Sequence, residues 1–397
     1  MAAVVDAPPP VPLSSGTTVR VGTRRSGLAL KQCEIVISEL SKTHPHIKFE
    51  TVTVSVMGDR DKTTPLPNLG KGLWTSELEA MLTSSPPELD MIVHSLKDMP
   101  TSLPDGCVLG CVTRREDPRD VVVFRESHGG RYCRLADLPE GAVVGTSSVR
   151  RSAQLRRRFP GLVFKDVRGN IDTRLRKCDD ESLGYDAIIL AAAGLLRMDC
   201  GHRIGQYLDS ASEGGGMLHA VGQGALGLEV RSDDEATLSL LKGVLHTETM
   251  LACEAERTVM RTLEGGCSVP IGVETDWVPG EDGVGQVLRM RATVVSLDGS
   301  QGAETEVTQE VSDAKGAEEL GHKVASILVE KGAGKILEAI NKTRAETPAA
   351  GTLRYLASFL THTESKQASR ESFVINANRA SPGPSSPARK RLSLCKC

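Results

Sequence analysis

Aromatic side chains are scarce, at 3% of 397 residues, too few for the stacking platforms that bind single-stranded nucleic acid. No run approaches the roughly 18 consecutive apolar residues of a membrane span. Neither charge dominates: 48 Lys and Arg against 51 Asp and Glu leave a net charge of -3. That excludes a surface built throughout to hold polynucleotides or anionic lipid, so any anion site must be local. The ten cysteines are scattered from Cys33 to Cys397 without paired CxxC units, which argues against a zinc site and for reduced thiols. Cys107 and Cys111 read as buried thiols on a strand. No basic segment followed by an apolar one opens the chain, and no arginine precedes Arg20. A secretory leader or mitochondrial transit peptide is therefore not expected, and the cytoplasm is the expected location. These exclusions favour a small-molecule ligand.

What is present is length for two or three domains and a repeated alternation. Short Val- and Ile-rich runs at 19–22, 49–56, 89–94, 107–112, 120–124, 142–145, 162–167, 186–190 and 226–230 read as strands. Segments of helical period between them make the pattern α/β, with a mostly parallel sheet. Leu28, Ile35, Val36 and Leu40 share one expected helix face, and Leu73, Leu78 and Leu82 another. After Arg231 the order changes to helices at 234–245 and 249–263, a strand at 287–297 and a helix at 317–331, the pattern of a smaller α+β domain. Residues 1–18 read as disordered on composition, and so does 347–397 apart from the short apolar piece 353–360.

Four charged motifs begin where apolar strand runs stop: GTRRS (22–26), HSLKD (94–98), GTSSVRR (145–151) and VRGN (167–170). Loops at the carboxyl ends of strands line the crevice of an open α/β sheet, and the helices that follow aim their N-termini into it. Ser26, Ser95, Ser147 and Ser148 add hydroxyls there. Arg150, Arg151, Arg168 and Arg174 converge on the same rim, and guanidinium forks suit a ligand with many carboxylates or phosphates. Arg156, Arg157 and Arg158 read as a solvated helix face. Asp98 is an acid among bases, either a salt-bridge partner or a carboxylate placed where positive charge develops. Cys267, in LEGGCSVP, is either a small buried side chain or an accessible thiol on a loop freed by Gly265 and Gly266.

Together, VGTRRSGLAL, VHSLKDMPT, VVGTSSVRRSAQL, VRGNIDTRLRK, AIILAAAGLLRM, AVGQGALGLEVR and CEAERTVMRTLEGGCSVPIG resemble the porphobilinogen deaminase family over about residues 19–341. The resemblance implies two periplasmic-binding-protein-like α/β domains, 19–115 with 218–240 and 116–217, hinged around a cleft near 114–118 and 214–216. A smaller α+β domain, 241–346, carries the cofactor cysteine. It implies a covalent dipyrromethane on Cys267, attached by a thioether, and Asp98 as the catalytic carboxylate. It further implies that Arg24, Ser26, Gln32, Ser95, Lys97, Thr146, Ser147, Ser148, Arg150, Arg151, Arg168, Gly169, Asn170, Arg174, Arg197 and Gln223 hold cofactor and substrate.

The implied reaction joins four porphobilinogen molecules head to tail, with release of ammonia, to the linear tetrapyrrole hydroxymethylbilane. The growing oligopyrrole chain carries up to a dozen carboxylates, which accounts for the arginines. A monomer without metal, nucleic-acid partner or membrane is expected. The sequence has Met57, Trp74, Ser76 and Gly27 where the family more often carries Thr, Phe, Lys and Gln. Two other readings use the same arginines: a non-enzymatic two-lobed carboxylate-binding protein, and a nucleic-acid binder working through residues 150–177.

Overall fold

A computed structural model of the chain describes Ser14 and residues 16–56, 74–211, 215–263, 269–280, 283 and 285–346. The chain divides into a compact unit, Met1–Arg344, and a second, Ala345–Cys397; the expected disordered tail, 347–397, lies outside the described residues. So do 1–13, Met57 and Cys267.

The compact unit holds three sheets. The first contains β1 (Thr18–Arg24), β2 (Lys48–Val54), β3 (Met91–Ser95), β4 (Cys107–Val112) and β10 (Leu226–Arg231), in the order β2-β1-β3-β10-β4. The second contains β5 (Asp120–Phe124), β6 (Val143–Gly145), β7 (Val163–Lys165), β8 (Ala187–Ala191) and β9 (Gln206–Leu208), in the order β7-β6-β8-β5-β9. The two plans match: three parallel strands, then one strand reversed against both neighbours, β10 in the first sheet and β5 in the second. Each reversed strand enters directly after the chain has crossed from the other sheet. The third sheet is an antiparallel meander of β11 (Ile271–Pro279), β12 (Gln286–Val295) and β13 (Gly302–Gln309).

Helices cover these sheets by their apolar stripes. On α1 (Gly27–Thr43) the buried face is Ala29, Cys33, Val36 and Leu40, a spacing of four, three and four that keeps one side of a 3.6-residue turn. Ile35 was expected on that face and is exposed, because it falls one residue out of that step. Leu78 and Leu82 of α2 (Ser76–Leu82) are fully buried as expected, while Leu73 lies outside the described residues. In the second half follow α3 (Val149–Arg158), α4 (Ile171–Asp179) and α5 (Ala192–Arg197). Then come α6 (Glu235–Leu241), α7 (Thr247–Thr262), α8 (Ala314–Glu330) and α9 (Ala333–Glu346).

Three readings are corrected by long-range packing. Helical period alone reads residues 234–245 with the smaller domain after Arg231, whereas the family resemblance assigns 218–240 to the first; Leu240 and Leu241 of α6 pack into the core of the first sheet. Strand β9 was not expected, being only three residues long and paired with β5 at one end. Arg156, expected in solvent, donates to Leu297 O at 2.8 Å, and Arg158 to Gly215 O at 3.4 Å. The basic end of α3 thus joins the second and third sheets.

Candidate active site

The site is built from strand ends. Arg24 closes β1, and Ser26 caps α1 by accepting from Ala29 N at 3.4 Å. Gln32, one turn into that helix, is buried and accepts from the Ser95 hydroxyl at 3.0 Å. Ser95 ends β3, and a single 3₁₀ turn, Leu96–Asp98, carries Lys97 and Asp98 outward while Leu96 packs inward. His94, the first residue of the same motif, points the other way, to the buried Glu229 of β10 at 2.9 Å. In the second half, Ser148 caps α3 by accepting from Arg151 N, so Arg150 and Arg151 sit in its first turn.

Several hydroxyls expected to meet a ligand are engaged in holding loops. Ser147 donates to Val167 O at 3.0 Å, and Thr146 Oγ1 accepts from Ser148 N at 3.2 Å. Gly169 has φ +124, and a Cβ there would come within 2.8 Å of Thr173, so the turn before α4 needs glycine. Its carbonyl accepts from Arg174 Nε at 2.7 Å, while Asn170 occupies the cap position of α4 without a side-chain capping bond. Arg197, at the end of α5, donates to Gly224 O at 2.7 Å.

Charged groups from both sheets converge. Arg24 Nη1 lies 3.8 Å from Asp98 Oδ2, and its guanidinium stacks on Trp74, 4.1 Å from the ring centroid. Enclosure pushes the Lys97 ammonium down to about 8; Asp98 and Asp120 oppose that shift, and Arg151 and Arg150 add to it. Enclosure also pushes Arg174 down to about 10, with Arg151 and Arg168 lowering it further and Asp98 raising it. Asp98 thus lies within the field of groups from β1, its own turn and α4. Among the described residues, six cations, Arg24, Lys97, Arg150, Arg151, Arg168 and Arg174, share this region with the carboxylates of Asp98 and Asp120. An excess of that size in a half-dry cleft calls for an anionic ligand, and it fits a dipyrromethane, which brings its own carboxylates.

Arg150 and Arg151 sit deeper than expected. Both are buried, and both are bound to the fully buried carboxylate of Asp120. Asp120 was passed over in the sequence because it reads there as the first residue of an apolar strand. Trp74 stands out in the sequence only as a departure from the family pattern, and Arg257 does not stand out at all. Arg257 on α7 is buried and donates to Pro100 O at 2.7 Å, and Arg261 reaches Thr101 O at 3.5 Å. The helix that leads toward Cys267 is therefore tied to the residues that directly follow Asp98. Cys107 and Cys111 are buried, and enclosure pushes both thiols up to about 12, which suits unreactive core positions. Two cavities of about 570 and 830 Å³ open beside the third sheet rather than on the cleft.

Residues 19–239 match a family model described as porphobilinogen deaminase, dipyrromethane cofactor binding domain, and residues 250–330 match the C-terminal domain of the same enzyme. The chain belongs to the porphobilinogen deaminase family. It is 59% identical over 330 residues to the porphobilinogen deaminase of Neurospora crassa, covering 83% of this chain and 95% of that one. It is 51% identical over 327 residues to that of Yarrowia lipolytica, covering 81% and 93%. Among solved structures, it is similar to the periplasmic VFT2 domain of Bordetella pertussis BvgS (14% identity, TM-score 0.33, 57% of this chain and 86% of that one). It is also similar to the methionine-binding protein MetQ (11%, 0.35, 59% and 92%). The family is one of transferases of tetrapyrrole biosynthesis, and its cofactor is the dipyrromethane that the matched domain binds.

Proposed function

We propose that this chain condenses four porphobilinogen molecules head to tail, releasing ammonia at each addition, and delivers hydroxymethylbilane. The observation that carries this reading is Asp98, set on a tight turn at the end of β3 and surrounded by cations from both sheets. A carboxylate so placed stabilises positive charge on a pyrrole nitrogen, the charge that develops when the substrate loses its amino group and again when its ring is attacked. Arg24, 3.8 Å away, pairs with that carboxylate and orients it.

The remaining residues bind and position. Arg150, Arg151, Arg168, Arg174 and Arg197 hold the acetate and propionate groups of primer and substrate, together with Lys97, Gln223, Gln32, Ser26, Ser95, Thr146, Ser147, Ser148, Gly169 and Asn170. Bidentate guanidinium contacts fix register as well as affinity, which a chain that lengthens by one unit at a time requires. When bound through a thioether to Cys267, the dipyrromethane supplies the free α-carbon at which condensation starts. The ties from Arg257 and Arg261 to residues 100–101 hold α7, which precedes Cys267 in the chain, against the residues that follow Asp98, and support this reading. The domain limits taken from the resemblance, a monomeric state and a cytoplasmic location belong to the same reading. Among the described residues no helix is long and apolar enough to cross a membrane.

Intact mass tests the proposal. The purified chain is expected to carry a covalent excess of two pyrrole units, absent from Cys267→Ser, and to consume porphobilinogen with release of ammonia. A wild-type chain without that excess, yet able to bind carboxylates, would be a two-lobed binding protein instead.

A further inference from the structure

The two adjacent arginines of α3 pose an electrostatic problem. Arg150 and Arg151 are buried side by side in the first turn of one helix, with the Lys97 ammonium close enough to feel both. Three cations so enclosed repel one another, and burial removes the water that would screen them. One carboxylate binds both arginines and reaches the lysine through Gln223. Asp120 Oδ2 accepts from Arg150 Nη1 at 2.7 Å; Oδ1 accepts from Arg151 Nε at 2.9 Å, Arg151 Nη2 at 2.7 Å and Gln223 Nε2 at 3.0 Å. Gln223 in turn accepts from Lys97 Nζ through Oε1 at 3.3 Å, and its amide also donates to Pro118 O at 2.7 Å.

Asp120 thus stands where the chain enters the second sheet, and its contacts run to the helix of that sheet and, through Gln223, to the Lys97–Asp98 turn of the first. Burial works against its charge, but Arg150 and Arg151 outweigh burial and hold the carboxyl well below the usual range. The two arginines are held differently. Arg151 commits Nε and Nη2 to Asp120 and Nη1 to Ile189 O. Arg150, among the described residues, commits Nη1 alone, to Asp120 and Leu218 O, leaving Nε and Nη2 as an edge for an incoming carboxylate.

We propose that Asp120 is the positioning residue of the anion wall, setting Arg150 and Arg151 against the Lys97–Asp98 turn so that the cleft presents spaced cations to substrate carboxylates. This inference rests on the reading of the cleft as the porphobilinogen site. No atom of Asp120 need touch substrate; it acts through the arginines and Gln223.

Asp120→Asn preserves shape and removes the charge. The holoenzyme and the variant are compared by thermal melting, intact mass and porphobilinogen kinetics across neutral and mildly alkaline pH. The expected variant is folded and shows KM raised at least about tenfold, with kcat within about threefold. The basic limb of kcat/KM moves to lower pH, because Lys97 then faces Arg150 and Arg151 with Asp98 as its remaining carboxylate. A folded variant that no longer carries the primer mass, beside a loaded wild type, supports the proposal equally, since primer assembly needs the same wall. A folded, loaded variant whose KM and basic limb both match wild type overturns it. If Asp120→Asn does not fold, Gln223→Leu decides: it leaves both ion pairs and cuts the bridge to Lys97. A shifted basic limb then supports the proposal, and an unmoved one overturns it. Failure of the underlying reading looks different, as a wild-type chain that carries no primer and consumes no porphobilinogen.

Discussion

The arginines of the third sheet and those of the cleft obey opposite rules. On β12, Arg289 pairs with Asp276 at 2.9 Å, and Arg291 pairs with both Glu274 and Glu306. Each guanidinium there has a carboxylate of its own, and both stay partly open to water, at 31% and 28% side-chain exposure. In the cleft, two guanidiniums at 6% and 7% exposure share the single carboxylate of Asp120, and Arg174 and Arg197 donate to backbone carbonyls. The third sheet neutralises its own charge and thereby joins strands; the cleft withholds carboxylates from itself and thereby asks a ligand to bring them. Charge balance, more than the number of arginines, separates a joint from a binding site.

Substitutions break that contrast in a definite order. Asp98→Asn should have the largest effect, lowering turnover by about a hundredfold to a thousandfold while fold and primer mass persist; near-normal turnover removes Asp98 from the chemistry. Arg150→Gln comes next, at about 2 to 5 kcal/mol of binding, seen as stalled intermediates in the mass spectrum of the working enzyme; unaltered elongation excludes Arg150 from the wall. Raising the pH through about 8 deprotonates Lys97, so its attraction for a substrate carboxylate is full below that value and fades above it. KM should rise a few-fold over that step, and Lys97→Arg, which stays charged, should abolish the rise. Arg291→Gln should matter least, shifting stability by about 1 kcal/mol or less and leaving KM alone. If Arg291→Gln instead raised KM as Arg150→Gln does, the distinction between joint and binding site would fail.

The contrast also explains what could be read in advance. The motif residues were legible because strand ends are legible: Arg24, Ser95, Ser148 and Arg150 follow runs whose alternation or apolar length marks a strand, and the rim follows from the handed, parallel winding of such runs. Arg151 was legible as a rim residue for the same reason, but its depth was not. Its partner Asp120 lies 31 positions earlier, and nothing in local periodicity links the two. Trp74 on Arg24 and Arg257 on Pro100 are contacts of the same kind, made by residues 50 and 157 positions apart.

By itself, the sequence determined the α/β class, the strand ends that carry the charged motifs, the local surplus of arginine and the family, because each depends on short-range order: period, cap, turn or motif. Tertiary structure alone decided that β10 enters the first sheet between β3 and β4, and that one buried aspartate holds two arginines and, through Gln223, a lysine. The reason is that burial and charge pairing are settled by which distant segments share the same dry volume, and that is a property of the folded chain as a whole.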